Sequence, residues 1–300
     1  MPHRSRSALI AGLALLLVLG VAMGRADRSP ARFSQGLPLR EDAPDFGGFS
    51  ALELDASGRE FVALSDRGTL WRGTLIRDAN EQITDIRFAG MTRLHGPRGR
   101  PLRGEAADSE GLAVGDDGTV LVSFERDVRI GAFVRDMAAE LTLPRGPAFS
   151  TLTKNKELEA LALAPDGALY TLPEDLPKAG TSLPVWRLRN GQWTEPFSIS
   201  RAGGWKPVGA DFGPDGRFYL LERDLRGLLG FAARVRVFEI SGETIAGGQV
   251  VLQTPPGRHG NLEGLAVWRD RSGAIRLTMV ADDNFSAFMR SEIVEYSINP

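Results

Sequence analysis

Asp108-Ser109-Glu110-Gly111-Leu112-Ala113-Val114 leads to Asp117-Gly118, and residues 119–124 then run into Glu125-Arg126-Asp127. This is a short apolar strand opened by an acid, a Gly-centred turn, and a second apolar strand with a charged exit. Two such runs around a turn read as an antiparallel hairpin. The phrase recurs about every 50 to 60 residues. Glu157-Leu158-Glu159-Ala160-Leu161-Ala162-Leu163 leads through Asp166-Gly167 to Glu174-Asp175. Asn261-Leu262-Glu263-Gly264-Leu265-Ala266-Val267 leads through Ser272-Gly273 to Asp282-Asp283-Asn284. Weaker copies run from Phe49 through Ser57-Gly58 to Ser65-Asp66-Arg67, and from Val208 through Asp215-Gly216 to Glu222-Arg223-Asp224. A repeat of this length built from short strands predicts an all-β propeller, because a single unit cannot bury its faces without neighbours. Five phrases favour five blades. The long first interval leaves room for a sixth, degenerate one.

Each unit divides into candidate strands. In the third they are 158–163, 168–172, 185–189 and 193–198, the last two joined by Asn190-Gly191. Asn-Gly between alternating segments is the strongest short hairpin signal. The fifth unit shows only 262–268, 275–281 and 292–298 before the chain ends. Its missing outer strand is expected from residues 31–39. That pairing would join both termini in one blade and remove an open sheet edge. Residues 92–107, 172–183 and 224–233 read as long connections, which in a compact ring are usually functional or mobile.

Composition narrows the class. Apolar residues make up 42% and charged residues 25%, as in ordinary soluble domains. Arg4 and Arg6 precede residues 8–23, an uncharged apolar run. That length is short for a membrane span and suits a signal-peptide core. Cleavage is expected after Gly24 or Ala26, with a retained anchor as the alternative. Residues 1–26 are thus read as a signal peptide and 27–300 as one propeller domain. The protein is expected to be periplasmic or secreted, with no membrane span after signal removal. Residues 1–26 hold three Arg and no acid, so the remainder has 33 basic and 38 acidic residues, net −5. This balance speaks against nucleic acid as a partner. There is no Cys, which excludes disulfides, a thiolate nucleophile and thiolate metal sites. Only His95 and His259 lie beyond the signal, so a site of several histidines is excluded by count.

The chemistry then falls to acids. Glu110, Glu159 and Glu263 open the inner strands at matched positions, where the other two repeats carry Ser50 and Val208. The first strand of each blade lines the central channel, so these carboxylates are expected at one channel mouth. Like charges gathered there raise one another's pKa or require a cation. A divalent cation such as Ca²⁺ suits oxygen donors without Cys or His. Asp66, Glu125, Glu174 and Asp282-Asp283-Asn284 end the second strands and return to the same mouth. Asp283 and Asn284 are expected as further metal ligands beside Glu110, Glu159 and Glu263. Arg67, Arg126 and Arg223 are candidate anion binders, with Lys156 and the Arg98, Arg100, Arg103 loop as further cations. Asp66 beside Arg67 reads equally as a surface ion pair. Glu110, Glu159 and Glu263 are equally candidate catalytic bases; His259, four residues before Glu263, is a further catalytic candidate, although a lone loop histidine is usually solvated.

The motifs resemble the phytase-like family, also described as esterase-like activity of phytase. The resemblance rests on Gly48-Phe49-Ser50-Ala51-Leu52, Ser65-Asp66-Arg67-Gly68, Asp108-Ser109-Glu110-Gly111, Glu157-Leu158-Glu159-Ala160-Leu161, Leu220-Leu221-Glu222-Arg223 and Asn261-Leu262-Glu263-Gly264 with Asp283-Asn284-Phe285. It spans nearly all of the mature chain in order. It implies an exported propeller acting on small-molecule esters or phosphoesters, with rim acids suited to a metal that holds phosphate. A lactonase-like propeller with one central divalent ion is the second reading. A non-catalytic binding propeller for an envelope partner is the third. A quinone-dependent dehydrogenase fits less well, given so few histidines.

Overall fold

The computed structural model describes residues 29–299 apart from 135–136, 147–148, 153–157, 177–179, 202 and 287. The expected signal segment, Lys156 and Glu157 lie outside the described residues. Strand β1 is Ala31–Pro38. Blade one holds β2 (Phe49–Leu54), β3 (Glu60–Ser65), β4 (Thr69–Arg77) and β5 (Ile83–Arg93). Blade two holds β6 (Ser109–Val114), β7 (Val120–Phe124), β8 (Arg129–Phe133) and β9 (Glu140–Thr142). Blade three holds β10 (Leu158–Leu163), β11 (Leu169–Pro173), β12 (Ser182–Arg189) and β13 (Gln192–Ser200). Blade four holds β14 (Lys206–Phe212), β15 (Phe218–Leu225), β16 (Phe231–Ser241) and β17 (Thr244–Gln253). Blade five holds β18 (Asn261–Arg269), β19 (Ile275–Asp282) and β20 (Glu292–Ile298), and β1 completes it.

The protein is a five-bladed β-propeller of four-stranded antiparallel sheets. The inner strands β2, β6, β10, β14 and β18 touch in sequence, and β18 packs on β2 to close the circle. The terminal strand pairs as the incomplete fifth unit demands, with Ala31 opposite Ile298 and Pro38 opposite Glu292. The room for a sixth blade is taken by a connection. Between β5 and β6 lie one bridge, His95 to Pro101, and a 3-10 turn at Gly104–Ala107. Its Gly, Pro and Arg residues give no apolar alternation to build a sheet from. The expected connection at 224–233 is shorter than its sequence implies. Asp224 and Leu225 still pair with Ala232 and Phe231, so the hairpin runs on past the last apolar residues.

The core lies between blades. Phe49, Leu52, Phe61 and Trp71 of blade one pack with Ala266, Val280 and Ile293 of blade five. Leu112, Val120 and Phe124 of blade two pack with Ala51 and Leu64 of blade one. Hydroxyls stitch the inner strands: Ser50 Oγ donates to the Ser109 carbonyl at 2.8 Å, and Ser123 Oγ to that of Leu158 at 2.8 Å. Close approach is required here. A Cβ on Gly209 would sit 2.4 Å from the Glu263 carbonyl, and one on Gly264 2.6 Å from the Leu52 nitrogen.

The terminal strand also feeds the interior. Gln35 donates to Glu295 at 3.0 Å and accepts from the Ile83 nitrogen at 3.1 Å. Deleting residues 27–40 is therefore expected to cost several kcal/mol, at roughly 2–4 °C of melting temperature per kcal/mol for a chain of this size. Calorimetry measures this, and an unchanged midpoint would refute closure by β1.

Candidate functional site

Strand direction decides which ends meet. Inner strands begin, and second strands end, at the same mouth of the ring. In every inner strand the ladder slips by one residue just inside its start. Such a bulge leaves one residue unpaired and re-aims its side chain. The residues at the slips are Ser50, Glu110, Glu159, Val208 and Glu263, in blades one to five (in blade two the slip spans Glu110-Gly111). All three acids that open the apolar strands thus sit at bulges.

Register builds two more rings. Ser65, Phe124, Pro173, Glu222 and Ala281 lie opposite Phe49, Ser109, Leu158, Pro207 and Leu262. The next residues along the second strands are Asp66, Glu125, Glu174, Arg223 and Asp282. The residues just before the first strands' paired positions are Gly48, Asp108, Lys206 and Asn261, with Glu157 outside the described residues. Blades one, two, three and five therefore bring carboxylates to the mouth. Blade four alone brings Lys206, Val208 and Arg223 to the equivalent places.

The cationic side is tightly held. Arg223 Nη1 donates to Asn261 Oδ1 at 3.0 Å and pairs with Glu263 Oε1, while Nη2 donates to Glu174 Oε1 at 3.2 Å. Lys206 Nζ donates to Glu174 Oε2 at 2.9 Å. Asn261 Nδ2 donates to Glu263 Oε1 at 2.7 Å. Glu174, Lys206, Arg223 and Asn261 line a cavity of about 490 Å³, with Leu225, Phe231 and Asn284 on its other walls.

The acidic side is crowded. Asp108, Glu110 and Glu125 each offer an oxygen within 4.8 Å of the others, an arrangement that can hold a metal ion. Burial pushes Glu110 well above the ordinary carboxyl range, and Glu159, Glu125 and Asp108 push it further. Burial raises Glu159 to about 8, against the pull of Arg223. Burial and Asp282 raise Asp66 to about 7, opposed by Arg67. Asp282 rises to about 6 through burial, opposed by the Asn284 backbone N–H. Carboxylates in this state share protons or accept a cation.

A folded-state pKa raised above the unfolded value makes the native protein bind more protons, so stability falls as pH rises. For Glu159 the window runs from its ordinary 4.5 to about 8. Glu159→Gln is expected to flatten that decline, on the order of a few kcal/mol at pH 8. Urea melts of both forms at pH 5 and pH 8, with chelator present, test this. Parallel slopes would count against it.

The expected site residues divide. Glu110, Glu159 and Glu263 reach one mouth, but Glu263 is engaged by Arg223 and Asn261. Asp282, not Asp283, takes the ring position. Asp283 Oδ1 instead accepts from the Gly48 and Phe285 nitrogens at 2.9 and 3.0 Å, and Oδ2 from Ser291 Oγ at 2.9 Å, so it brackets loops. Asn284 is exposed and lines the cavity. Arg67 lies over the Phe285 ring at 3.3 Å. Arg126 Nε donates to Asp108 at 3.0 Å and so braces the acidic side. His259 turns outward into blade five: its Nε2 meets Tyr296 Oη at 2.7 Å, and its ring stacks on Phe33. Lys206 and Asn261 were not singled out from sequence. Counting register from the hairpin turns would have found both. At the other end of β2 and β14, burial raises Glu53 and Asp211, a second acid pair that sequence patterning did not mark.

Several solved structures are similar to this chain at low identity. The PQQ-bound aldose sugar dehydrogenase of Streptomyces coelicolor is 15% identical, covers 91% of this chain and 100% of its own, and has a TM-score of 0.47. Virginiamycin B lyase of Staphylococcus aureus is 13% identical over 90% of this chain and 100% of its own, at 0.44. A chain of a nidogen/laminin complex is 16% identical over 74% and 73%, at 0.44. A search of curated proteins finds no match. The family model for phytase-like proteins, described as esterase-like activity of phytase, matches residues 44–285. That range takes in every described residue of the three rings, and the chain belongs to the phytase-like family.

Proposed function

We propose that the chain is a cation-assisted hydrolase of anionic small-molecule esters or phosphoesters. One observation carries this reading: three clustered carboxylates of blade two and two cations of blade four share one mouth, with Glu159 between them. The donor set is all oxygen, which fits a hard cation such as Ca²⁺. Asp108, Glu110 and Glu125 would hold it. When bound, a cation there polarises an ester oxygen and activates water. Arg223 and Lys206 hold the anionic group of the substrate, as forked and point-charge donors respectively. Glu159, protonated near neutral pH, hands its proton to the leaving oxygen. The apolar segment of residues 8–23 supports export, with action in the periplasm or outside the cell. N-terminal sequencing of the exported protein checks that.

The deciding experiment is a panel of esters, phosphoesters and lactones, with and without chelator. Hydrolysis of an anionic ester, lost with EDTA and restored by Ca²⁺, is the expected result. Turnover of lactones alone would move the assignment to a lactonase-like propeller. No turnover and no cation uptake would leave a binding propeller.

A further inference from the structure

The four most exposed large apolar side chains among the described residues lie on two loops and, for Leu225, at the strand end that leads into one of them. Leu228 and Phe288 are fully exposed, Leu229 is 70% exposed and Leu225 61%. The first loop joins β15 to β16, and the second joins β19 to β20. Both are second-to-third strand connections of adjacent blades, so both stand at the mouth that carries the rings. Soluble monomers seldom gather such tips in one place without an interaction to serve.

The same mouth carries basic loops. Blade-to-blade connections also end there, because each blade has four alternating strands. The β5–β6 connection, residues 94–108, contains Arg98, Arg100 and Arg103 followed by Glu105 and Asp108, and residues 254–260 contain Arg258 and no acid. All four arginines are exposed. This concentration stands out in a chain whose residues 27–300 carry net −5. Apolar tips at a mouth that also carries exposed arginine loops match the chemistry of an anionic membrane surface, where side chains enter the headgroup boundary and cations meet phosphates. Among the described residues no helix is long and apolar enough to cross a membrane, so the contact would be peripheral.

We propose that this mouth docks on an anionic lipid surface, with Leu228, Leu229 and Phe288 entering the headgroup region and the flanking arginines facing lipid phosphates. The docking stands independently of the hydrolase reading. It would set the rings against the bilayer, where amphiphilic molecules concentrate.

The test uses residues 27–300, since every strand of the ring lies within residues 31–298. Vesicles of phosphatidylcholine alone are compared with vesicles containing about 30% phosphatidylglycerol, by co-sedimentation at low and high salt. Binding is expected only to the anionic vesicles and is expected to weaken with salt. The double substitution Leu228→Ser with Leu229→Ser is expected to lower the partition coefficient by about tenfold or more. Its melting temperature should be unchanged, because both side chains are exposed. Phe288→Ala gives an independent second variant. Absence of binding, equal binding to neutral vesicles, or full retention by both variants would overturn the proposal. So would a dimer in sedimentation that the double substitution dissolves, which would assign the tips to a second copy of the chain.

Discussion

Replacing Glu295 with Ala is expected to destabilise the ring by about 3–5 kcal/mol. Arg77 and Glu295 have side chains with no solvent exposure. The guanidinium clasps the carboxylate with both arms, at 2.6 and 3.0 Å. The same carboxylate accepts from Thr278 Oγ1 at 2.8 Å and from Gln35 Nε2 at 3.0 Å. One side chain thus ties blade one, blade five and the terminal strand together. Its removal leaves a buried arginine charge with only the Gly58 and Glu81 carbonyls as acceptors. An uncompensated buried charge is far costlier than a missing pair. The double change Arg77→Leu with Glu295→Leu should therefore cost less than Glu295→Ala alone. Urea melts of the three proteins decide it. A loss below about 1 kcal/mol for Glu295→Ala would mean that the pair is already hydrated or replaceable.

For the proposed cation-assisted hydrolase, Glu110→Gln is expected to lower hydrolysis by about 100-fold or more and Ca²⁺ affinity by at least about tenfold. Glu110 is the member of the Asp108, Glu110 and Glu125 cluster held at the inner-strand bulge. The substitution keeps the side-chain shape and one acceptor oxygen while removing the charge a hard cation needs. Its effect on the cation-free protein should have the opposite sign. Burial and neighbouring acids disfavour the Glu110 carboxylate, so the neutral amide should match or exceed the stability of the parent above pH 7. Calorimetric titration with Ca²⁺, paired with melts at pH 8, separates lost binding from lost folding. Equal affinity in both proteins would exclude the cluster as the cation site.

Much of this architecture was legible in the chain. The strands 49–54, 109–114, 158–163 and 292–298 fall where alternation and turn residues place them. These signals are local, because one face of each strand must be apolar and each reversal needs a residue suited to a turn. The closing role of residues 31–38 followed from counting strands in the last unit. The site was less legible at the level of single residues. Asp282 and Asp283 are neighbours in sequence, yet one joins the ring of carboxylates and the other brackets two loops. In a pleated strand a shift of one residue turns a side chain to the other face. Glu222 and Arg223 show the same division: Glu222 is buried against Arg234 and Arg236, while Arg223 reaches the mouth.

The sequence by itself determined a propeller with five blades favoured over six, a terminal strand that closes it, and three glutamates at equivalent places around one axis. Those conclusions need only periodicity, which each repeat carries within itself. The tertiary structure alone decided which glutamate meets which partner. Glu263 is joined to Arg223 from the neighbouring blade, Glu110 stands among acids, and Glu159 lies between the two groups. Each environment is made by residues tens of positions away and by bulges that re-aim the side chain. A carboxylate's charge state depends on burial and on facing charges, and both exist only once the blades have packed.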